Sequence, residues 1–305
     1  MKEKIILAGP ILGELWWEFE RFAPYVFWRK KELEQKHGKI MLSCLTRRDR
    51  FDIWGINCDI LVPLDIPGDG LIYKQDCFRL TNFPIARYNI LLENFQKHYS
   101  NYEILEYIYP KIDGKEFLNK HQFPNDKKLY DFTPRASNKQ LIDNYIKTEN
   151  PIIALAPRFR NGFPRNWSYW TKFYDLIGRE KELEKYCFVI CGKDPDYVPD
   201  RQDRFYDVNK IKLDGSSSLI GITIELIKKS ILLVGSQSSL PNISLLLGTE
   251  VLEWGDQKEN HTVKYNVRNT PVTFIEDMQY RLDPRTVVLE MMKILKDKEK
   301  KNGKT

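Results

Sequence analysis

Histidine and cysteine are scarce in this 305-residue chain, which has only four of the first and five of the second. The histidines are scattered, at His37, His98, His121 and His261. Because clustered ligands are what a metal site needs, this spacing predicts no metal centre. The cysteine number is odd, no pair has Cys-x-x-Cys spacing, and Cys44, Cys187 and Cys191 lie in strand-like runs. Buried thiols therefore fit better than disulfides or zinc ligands.

Long apolar segments are also missing, since no run comes near the roughly 18 residues that span a bilayer. Only four apolar residues stand between Lys4 and the Gly9-Pro10 pair, too few for the core of a secretory signal. A G-x-G-x-x-G fingerprint is absent, which argues against a nicotinamide-dependent dehydrogenase. With 42% hydrophobic and 13% aromatic residues, the chain is predicted to be a soluble, globular, cytoplasmic protein.

An excess of charge of one sign is likewise small over most of the chain. The 48 basic and 42 acidic residues give a net charge of +6. Half of that excess belongs to the lysine-rich segment from Lys296 to Thr305. We interpret the segment as a solvated helix end, while affinity for nucleic acid or an anionic membrane surface stays open as an alternative.

Strand and helix patterns alternate in two successive series, which predicts an α/β protein of two domains, residues 1–150 and 151–305. Apolar runs predict strands near residues 5–8, 39–45, 60–62 and 103–108, and then near 152–156, 187–190, 231–234 and 251–252. Helical spacing is found from Glu14 to Leu33 and between the later strands. Two Rossmann-like sheets in tandem would present the carboxyl ends of their strands to a ligand cleft.

The densest candidate site follows the apolar run that ends at Val234. Small and polar residues stand there directly before a helical pattern: Gly235, Ser236, Gln237, Ser238, Ser239 and Asn242. Such a turn directs backbone N–H groups and hydroxyls toward an anion, and the helix dipole favours negative charge there. The alternative is that Ser238 or Ser239 does no more than cap a helix.

A second candidate is the arginine-rich loop that follows the strand at Ile152. Arg158, Arg160 and Arg165 lie within eight residues of each other. Guanidinium groups bind phosphates through paired hydrogen bonds and could stabilise a departing diphosphate. Arg158 is closest to the strand and is the first choice.

Two acids further along, Glu253 and Asp256, are interpreted as following the strand at Val251. They are either ligands for donor hydroxyls or ordinary loop acids.

A third candidate is the loop after the first strand, where Gly13 precedes Glu14 at a predicted helix start. A carboxylate at this place would be able to take a proton from an acceptor hydroxyl as a general base. An acid in the first turn of a helix can equally be a solvated partner of the helix dipole.

Residues 151–256 resemble the donor-binding half of the GT-B glycosyltransferases, in particular the bacterial ADP-heptose:lipopolysaccharide heptosyltransferases (glycosyltransferase family 9). The resemblance rests on four features: the strand and turn Ile152–Pro157, the element Arg165-Asn166-Trp167, the strand end Cys191-Gly192-Lys193, and the ungapped loop from Val234 to Asn242. The family's Gly-Asp pair after strand one is similar to Gly13-Glu14. Departures are Gln237 for Asp, Ser239 for Gly, Asn242 for His and Glu250 for Pro, so heptose specificity does not carry over.

The resemblance implies a metal-independent, inverting glycosyltransferase that uses a nucleotide-diphosphate sugar as co-substrate and needs no other cofactor. It implies Glu14 as the base, and donor contacts from Gly13, Gly192, Lys193, the three arginines, Asp256 and the loop residues Gly235, Gln237, Ser238, Ser239 and Asn242. The implied acceptor is a surface-type glycan.

Three alternatives stay open. Arg47, Arg48 and Arg50 lie close together, and some phage GT-B enzymes glycosylate hydroxymethylated DNA bases; residues 1–150, however, carry only 23 basic against 21 acidic residues, weak for gripping a phosphate backbone. The chain could also be a non-catalytic nucleotide-sugar-binding module, or an epimerase of the same double-Rossmann shape. Neither the donor nor the oligomeric state follows from the sequence.

Overall fold

A computed structural model describes residues 2–11, 15, 18–64, 85–109, 132–158, 166–192, 203–213 and 215–302. The chain divides into two compact units, Met1–Ala136 with Gly215–Gly221, and Ser137–Asp214 with Ile222–Thr305. Each unit is built on one sheet whose strand pairs are parallel. The α/β fold class with two Rossmann-like sheets is thereby confirmed.

The first unit has four strands, in the order β3-β2-β1-β4. They are β1 (Lys4–Ala8), β2 (Met41–Thr46), β3 (Ile60–Pro63) and β4 (Glu103–Ile108). The described helices of this unit are α1 (Ala23–His37), α2 (Phe51–Trp54) and α3 (Ile85–His98), with 3-10 turns at Arg48–Arg50 and Gly55–Asn57. β1 is buried from Ile5 to Ala8, as expected for a central parallel strand.

The predicted helix over Glu14 to Leu33 differs from the structure within its length and at its C-terminal end, while its start lies mostly outside the described residues. A π-helical turn, Glu18–Phe22, precedes α1, and Pro24 stands in the first turn of α1, where its missing N–H has no helical partner to lose. At the other end, the helix continues four residues further, to His37. It stops at Gly38, whose φ of 78° is in the left-handed region that glycine enters at little cost.

The second unit has six strands, in the order β10-β9-β8-β5-β6-β7. They are β5 (Ile152–Ala156), β6 (Cys187–Ile190), β7 (Phe205–Asp207), β8 (Leu232–Ser236), β9 (Val251–Gly255) and β10 (Val272–Glu276). Its helices are α4 (Ala136–Tyr145), α5 (Trp170–Arg179), α6 (Leu219–Lys229), α7 (Ser239–Leu247) and α8 (Pro284–Asn302), with a π-helical turn at Asn260–Lys264.

Strands β7 and β10 were not predicted. β7 has only three residues, too few for an alternating pattern to be recognised. β10 is a partly exposed edge strand, although its Val-Thr-Phe-Ile run has the β-branched and aromatic composition typical of strands.

One face of the second sheet carries a tryptophan-rich core. The ring centroids of Trp167 and Trp254 are 4.6 Å apart, and those of Trp167 and Trp170 are 5.1 Å apart. Helices α5 and α8 pack on this face. The indole N–H of Trp167 donates to the carbonyl oxygen of Leu282 at 2.8 Å, which satisfies the polar end of a ring that is 2% exposed.

The boundary between the units differs from the predicted position at 150/151. Nearly all of α4 belongs with the second unit. Two contacts explain this: the hydroxyl of Tyr145 donates to the carbonyl oxygen of Asp207, and Lys229 pairs with Asp143. Conversely, Gly215–Gly221 packs with the first unit, where the hydroxyl of Ser218 donates to the buried carboxylate of Asp52. Contacts between residues far apart in sequence therefore set the boundary.

No helix in the part of the chain that the structure covers is both long and apolar enough to cross a membrane.

Candidate functional site

The strand order of the second sheet reverses between β5 and β8. The chain leaves β5 for β6 and β7 on one side, then returns to β8 on the other. In open parallel sheets, ligands bind at such a reversal, beyond the carboxyl ends of the two strands. Arg158 follows β5, and Gln237 and Ser238 follow β8. The topology thus brings two separately predicted segments together.

A direct hydrogen bond joins these two segments. Nη1 of Arg158 donates to the carbonyl oxygen of Gln237 at 2.7 Å, and the arginine is half-buried. A guanidinium has five N–H donors in a rigid planar fork, so this bond fixes the orientation of the whole group. Arg158 is thereby held as a cation beside the start of α7.

Gly235 allows β8 to approach β5 closely at this edge. A Cβ atom on Gly235 would lie 3.0 Å from both the Cβ and the carbonyl oxygen of Ala156, and 3.6 Å from Cγ of Pro241. Any side chain would push the strand ends or α7 apart. The predicted importance of Gly235 therefore has a packing reason, and contact with a donor stays a prediction.

The side chain of Gln237 forms hydrogen bonds with other parts of the protein. Its Oε1 accepts hydrogen bonds from the backbone N–H groups of Asp256 and Gln257, at 2.9 and 3.0 Å, and from the Tyr280 hydroxyl at 3.2 Å. Gln237 is 3% exposed and covers Gly255, where a Cβ atom would lie 2.3 Å from Oε1. The side chain thus fixes the loop after β9, and its predicted contact with a donor stays a prediction.

Tyr280 was missed by the sequence interpretation. Its hydroxyl also donates to Oδ1 of Asp256 at 3.2 Å, and its ring is buried. Its φ is 54°, a left-handed conformation that costs a bulky residue on the order of 1 kcal/mol or more and is concentrated at functional sites. Nothing in the local sequence marks this position, because the partners of its hydroxyl, Gln237 and Asp256, are 43 and 24 residues away.

The start of α7 offers a small set of polar groups. Ser238 is the N-cap residue, yet its side chain makes no capping hydrogen bond, so the alternative of a plain cap does not account for its hydroxyl. Pro241 has no N–H, which leaves the backbone N–H groups of Ser239 and Leu240 as the orphan donors of the first turn. Both serines are half-buried. This arrangement suits an anion.

Two buried polar atoms near this helix start have no hydrogen-bond partner among the described residues. They are Oγ of Ser236, at the end of β8, and Oδ1 of Asn242, in the first turns of α7. The two residues are 0% and 4% exposed. Buried polar groups are nearly always hydrogen-bonded, so both atoms are candidates for contact with a ligand.

Glu253 is inside β9 rather than after it, so its interpretation as a loop acid was wrong. It is fully buried, and Nδ1 of His261 lies 2.8 Å from its Oε1 and 2.9 Å from its Oε2. Burial raises the pKa of Glu253, while His261 and the backbone N–H of Ser238 stabilise the charged form and lower it. Asp256, directly after β9, keeps partial exposure.

Gly192 follows β6 and packs against the turn after β5. A Cβ atom there would lie 2.0 Å from the carbonyl oxygen and 2.6 Å from the nitrogen of Pro157. The carbonyl oxygen of Gly192 accepts from the side chain of Asn209 at 3.0 Å. Close packing of two strand ends therefore explains the glycine, and its predicted contact with a donor stays a prediction.

Five predicted site residues lie outside the described part of the chain: Gly13, Glu14, Arg160, Arg165 and Lys193. The strand order of the first sheet also reverses, between β1 and β4. There the backbone N–H of Gly9 donates to the carbonyl oxygen of Ile108 at 2.9 Å. The chain therefore leaves β1 at a reversal of strand order, the kind of place where ligands bind in open parallel sheets, and the roles of Gly13 and Glu14 stay predictions.

The arginines considered for DNA binding are engaged in ion pairs. Arg50 is 2% exposed, and its Nη1 lies 2.9 Å from Oε2 of Glu18. Arg47 makes two 2.9 Å hydrogen bonds to Asp49. Two of the three cations are thus compensated by acids of the same unit, which weakens the case for a phosphate-binding surface.

Glu18 is a buried acid that the sequence interpretation missed. Its Oε1 accepts from Oγ1 of Thr46 at 2.9 Å and from Nε1 of Trp54 at 2.8 Å. Burial raises its pKa, and Arg50 opposes that shift. The spacing from Glu18 to its partners is 28 to 36 residues, so no local pattern could have revealed the cluster.

A cavity of about 700 Å³ lies at the opposite, amino-terminal edge of the second sheet. Its charged lining is already paired, with Lys185 bound to Glu299 and Lys298 bound to Glu250. None of its lining residues is among the groups at the switch point that are described above. Among the residues that the structure describes, no three His, Cys, Asp or Glu side chains cluster as metal ligands would.

Comparison with known proteins identifies the fold. No protein-family model and no curated protein sequence matches the chain. Among solved structures, the chain is similar to Escherichia coli ADP-heptose lipopolysaccharide heptosyltransferase II, with 12% identity over 97% of this chain and 99% of that one, at a TM-score of 0.58. It is also similar to E. coli heptosyltransferase WaaC with ADP-2-deoxy-2-fluoro heptose, at 9% identity, 96% and 99% coverage and a TM-score of 0.51.

These similarities define the class of fold first: two Rossmann-like units in the GT-B arrangement of elements. More particularly, the fold is that of the heptosyltransferases, which confirms the resemblance found in the sequence. At 8 to 12% identity, the likeness does not extend to a reaction.

Proposed function

We propose that this protein is a glycosyltransferase that moves a sugar from a nucleotide-diphosphate donor to an acceptor hydroxyl. The observation that carries the proposal is the pairing of Arg158 with the Gln237 carbonyl at the switch point of the second sheet, beside the start of α7. A fixed cation and orphan helix N–H groups together suit a diphosphate. The heptosyltransferase-like fold supports the choice, since E. coli WaaC has been solved with ADP.

In the proposed reaction, the carboxylate of Glu14 takes the proton of the acceptor hydroxyl. The acceptor oxygen then attacks the anomeric carbon, and the bond from that carbon to the diphosphate breaks with inversion. Its electron pair leaves with the nucleoside diphosphate, whose charge Arg158 and the start of α7 stabilise. The acceptor is proposed to be a saccharide hydroxyl of a surface-type glycan, because that follows the family resemblance.

Donor binding is tested by thermal unfolding with UDP, GDP, ADP, CMP and dTDP sugars. A ligand that binds only the native state at about 100 times its Kd adds roughly 2.7 kcal/mol to the free energy of unfolding. We expect one nucleotide class to raise the midpoint. Arg158→Ala should weaken that ligand roughly 10- to 100-fold, because a charge-assisted hydrogen bond is lost. Arg285→Ala, at an exposed arginine of α8, is the matched control and should change nothing.

Transfer itself is tested with Glu14→Gln. The variant should bind the donor as the wild type does but turn over about 10²- to 10⁴-fold more slowly, the usual contribution of a general base. A protein that binds a nucleotide sugar without turnover in either form would be a non-catalytic module. Release of an epimerised free sugar without an acceptor would indicate an epimerase.

Metal independence is a separate part of the proposal. Here the arginine and the helix start take the role that a divalent cation has in other transferases. The chain does contain one Asp-x-Asp pair, Asp194 and Asp196, outside the described residues. Turnover that is unchanged by EDTA would support the proposal, and turnover restored by added Mg²⁺ or Mn²⁺ would contradict it.

A further inference from the structure

One hydrogen-bond network joins the loops at three neighbouring strand ends of the second unit. Gln237 follows β8, Asp256 follows β9, and Tyr280 belongs to the segment after β10. Oε1 of Gln237 accepts hydrogen bonds from the backbone N–H groups of Asp256 and Gln257 and from the Tyr280 hydroxyl. The carbonyl oxygen of the same glutamine accepts from Arg158. The network therefore extends from the cation at the switch point to the segment after β10.

The hydroxyl of Tyr280 is shared between two acceptors. It lies 3.2 Å from Oε1 of Gln237 and 3.2 Å from Oδ1 of Asp256. Amide and carboxylate oxygens only accept hydrogen bonds, and a phenol has a single O–H to donate. The side chains of Gln237 and Asp256 are thus bound to the same group. Tyr280 is 3% exposed, whereas Asp256 keeps partial exposure, so a buried residue holds a carboxylate that solvent reaches.

The backbone of Asp256 is fixed as well. Its N–H binds Gln237 at 2.9 Å, and the carbonyl oxygen of the preceding Gly255 accepts from the N–H of Asp277 at 2.9 Å. A Cβ atom on Gly255 would lie 3.0 Å from the Tyr280 hydroxyl, so the tyrosine lies directly against this turn. Tyr280 has a φ of 54°, which a bulky residue keeps only where its surroundings hold it there. Both the backbone and the side chain of Asp256 are therefore oriented by this network.

The chemistry of a carboxylate determines which part of a donor Asp256 can bind. Arg158 and the N–H groups at the start of α7 offer positive charge and hydrogen-bond donors, which suit phosphate. A carboxylate accepts hydrogen bonds and repels a negative group, so its partner is a neutral group with O–H donors. In a nucleotide-diphosphate sugar, such hydroxyls are found on the ribose and on the sugar, on either side of the diphosphate.

We infer that Tyr280 is a positioning residue that orients the carboxylate of Asp256 to bind hydroxyl groups of the donor, on its ribose or on its sugar. This inference rests on the donor site proposed above and names what the site recognises beside the diphosphate. Tyr280 acts through Asp256 and has no contact of its own with the donor. Gln237 connects the two parts of the site, because it binds Arg158 through its carbonyl oxygen and the Asp256 backbone through its side chain.

Three kinds of probe separate the diphosphate contacts from the hydroxyl contacts. They are inorganic pyrophosphate, the nucleoside diphosphates ADP, GDP, UDP and CDP, and one sugar of each nucleotide. Their affinities for the full chain are measured by isothermal titration calorimetry. Asp256→Asn keeps the shape of the side chain but removes its charge, so it should weaken the ligand that carries the bound hydroxyls roughly 10-fold or more. Pyrophosphate should keep or gain affinity.

The smallest ligand that loses affinity identifies the hydroxyls. A loss that begins with the nucleoside diphosphate indicates the ribose, and a loss confined to the nucleotide sugar indicates the sugar. An Asp256→Asn protein with unchanged affinity for every nucleotide and nucleotide sugar overturns the inference.

Tyr280→Phe removes only the hydroxyl and should weaken the same ligand about 3- to 10-fold, with no loss for pyrophosphate. Because the tyrosine acts through Asp256, this substitution should have little further effect in the Asp256→Asn background. Tyr186→Phe is the matched control. The Tyr186 hydroxyl also donates to a carboxylate, Oε1 of Glu299 at 2.5 Å, and the residue is 4% exposed. This control should leave the affinities for all three kinds of probe unchanged.

A tyrosine that only supports the fold would give a different result. Equal losses for pyrophosphate, nucleotide and nucleotide sugar in Tyr280→Phe overturn the inference, as do fully additive effects in the double variant. If Tyr280→Phe does not fold, the ring Cζ resonance of Tyr280 is followed in the wild type by NMR. The ligand that Asp256→Asn weakens should shift this resonance and pyrophosphate should not, and an unshifted resonance overturns the inference.

Failure of the proposed function gives a separate outcome. If the wild type binds no nucleotide or nucleotide sugar more tightly than pyrophosphate, the proposed donor is wrong and the inference falls with it. If the wild type binds such a ligand and neither variant weakens it, the inference alone is wrong. Hydroxyl-dependent binding in a protein that transfers no sugar contradicts only the proposed reaction.

Discussion

The two units each bury one glutamate completely, but they compensate its charge in different ways. Glu18 in the first unit is bound by Arg50, Thr46 and Trp54. Glu253 in the second unit has His261 and the backbone N–H of Ser238. Burial raises the pKa of both carboxyls. Glu18 thus faces a guanidinium and two neutral donors, whereas Glu253 faces an imidazole ring and a backbone N–H.

The two acids therefore differ in the parts of the molecule that they hold together. The Glu18–Arg50 pair has a permanent countercharge and three hydrogen bonds, so it ties the π-helical turn before α1 to the end of β2 and to α2. The Glu253–His261 pair instead lies in β9 and the π-helical turn that follows it, beside the loop at the start of α7. Four predictions test how far the contrast holds.

The largest effect is expected from Arg50→Met. Removal of the fixed cation leaves Glu18 as a buried charge without a countercharge, which typically costs about 3–5 kcal/mol of stability. Urea unfolding at neutral pH measures this loss. The double variant Glu18→Gln/Arg50→Met should recover part of it, because both charges are gone. A loss under about 1 kcal/mol would show that Glu18 is not held as a carboxylate by Arg50.

Thr46→Val should have the next largest effect. The substitution keeps the shape of the side chain but removes the O–H donor that binds Oε1 of Glu18. A hydrogen bond to a charged group contributes about 1.5–3 kcal/mol, and we expect a loss in that range by urea unfolding. If Thr46→Val lowers the free energy of unfolding by the same amount in the wild type and in the Glu18→Gln background, the bond to the carboxylate contributes nothing measurable.

Glu253→Gln should cost less, and the cost should depend on pH. Because the pKa of Glu253 is raised by burial, the folded state keeps this proton to a higher pH than the unfolded state does. The contribution of Glu253 to stability is therefore greatest at low pH and falls as pH rises above its ordinary value. We expect the variant to be about 1 kcal/mol less stable than the wild type near pH 5, with the difference narrowing toward pH 8.

Calorimetric or urea unfolding across this pH range provides the measurement. Glu276→Gln is the control, since its side chain is exposed and its loss should be small at every pH. A difference between Glu253→Gln and the wild type that widens with rising pH would contradict the assigned direction.

The smallest effect is expected from thiol reagents. Burial raises the pKa of Cys187 and Cys191 to about 12, and burial raises that of Cys44 well above its ordinary value, with a further contribution from Glu18. In a Cys58→Ser/Cys77→Ser variant, Ellman's reagent at pH 8 should therefore react only as fast as the protein unfolds. A rapid reaction of one thiol would show that its unit opens locally.

The sequence predicted most of the fold, because the alternation of strands and helices is a local property. The strands that the structure shares with the prediction are centred on the same apolar runs, and both ends of α7 and the end of β5 fall within a residue or two of the predicted places. The misses have local causes: β7 is too short to show a period, and the π-helical turn Glu18–Phe22 departs from α-helical spacing within the helix predicted from Glu14 to Leu33.

The candidate site was predicted only in part. Arg158 and Ser238 follow strand ends, and a position after a strand can be seen in the sequence. The packing of Gln237 over Gly255, the burial of Glu253 and the strained Tyr280 could not be seen, because each depends on which strands are neighbours. Arg50 shows the same limit: it was grouped with Arg47 and Arg48 as a candidate for DNA binding, yet Glu18, 32 residues away, binds it in the interior.

By itself, the sequence determined the α/β class, the places where strands end and the polar character of the loops there, since periodicity and turn chemistry act over a few residues. Only the tertiary structure decided which of those loops lie together and which polar side chains form hydrogen bonds within the protein. In the strand order 10-9-8-5-6-7, the ends of β5 and β8 lie side by side. Polar groups that are buried there bond to each other, because a buried polar group without a hydrogen bond is costly. Those pairings join residues up to 79 positions apart, beyond the reach of any local pattern.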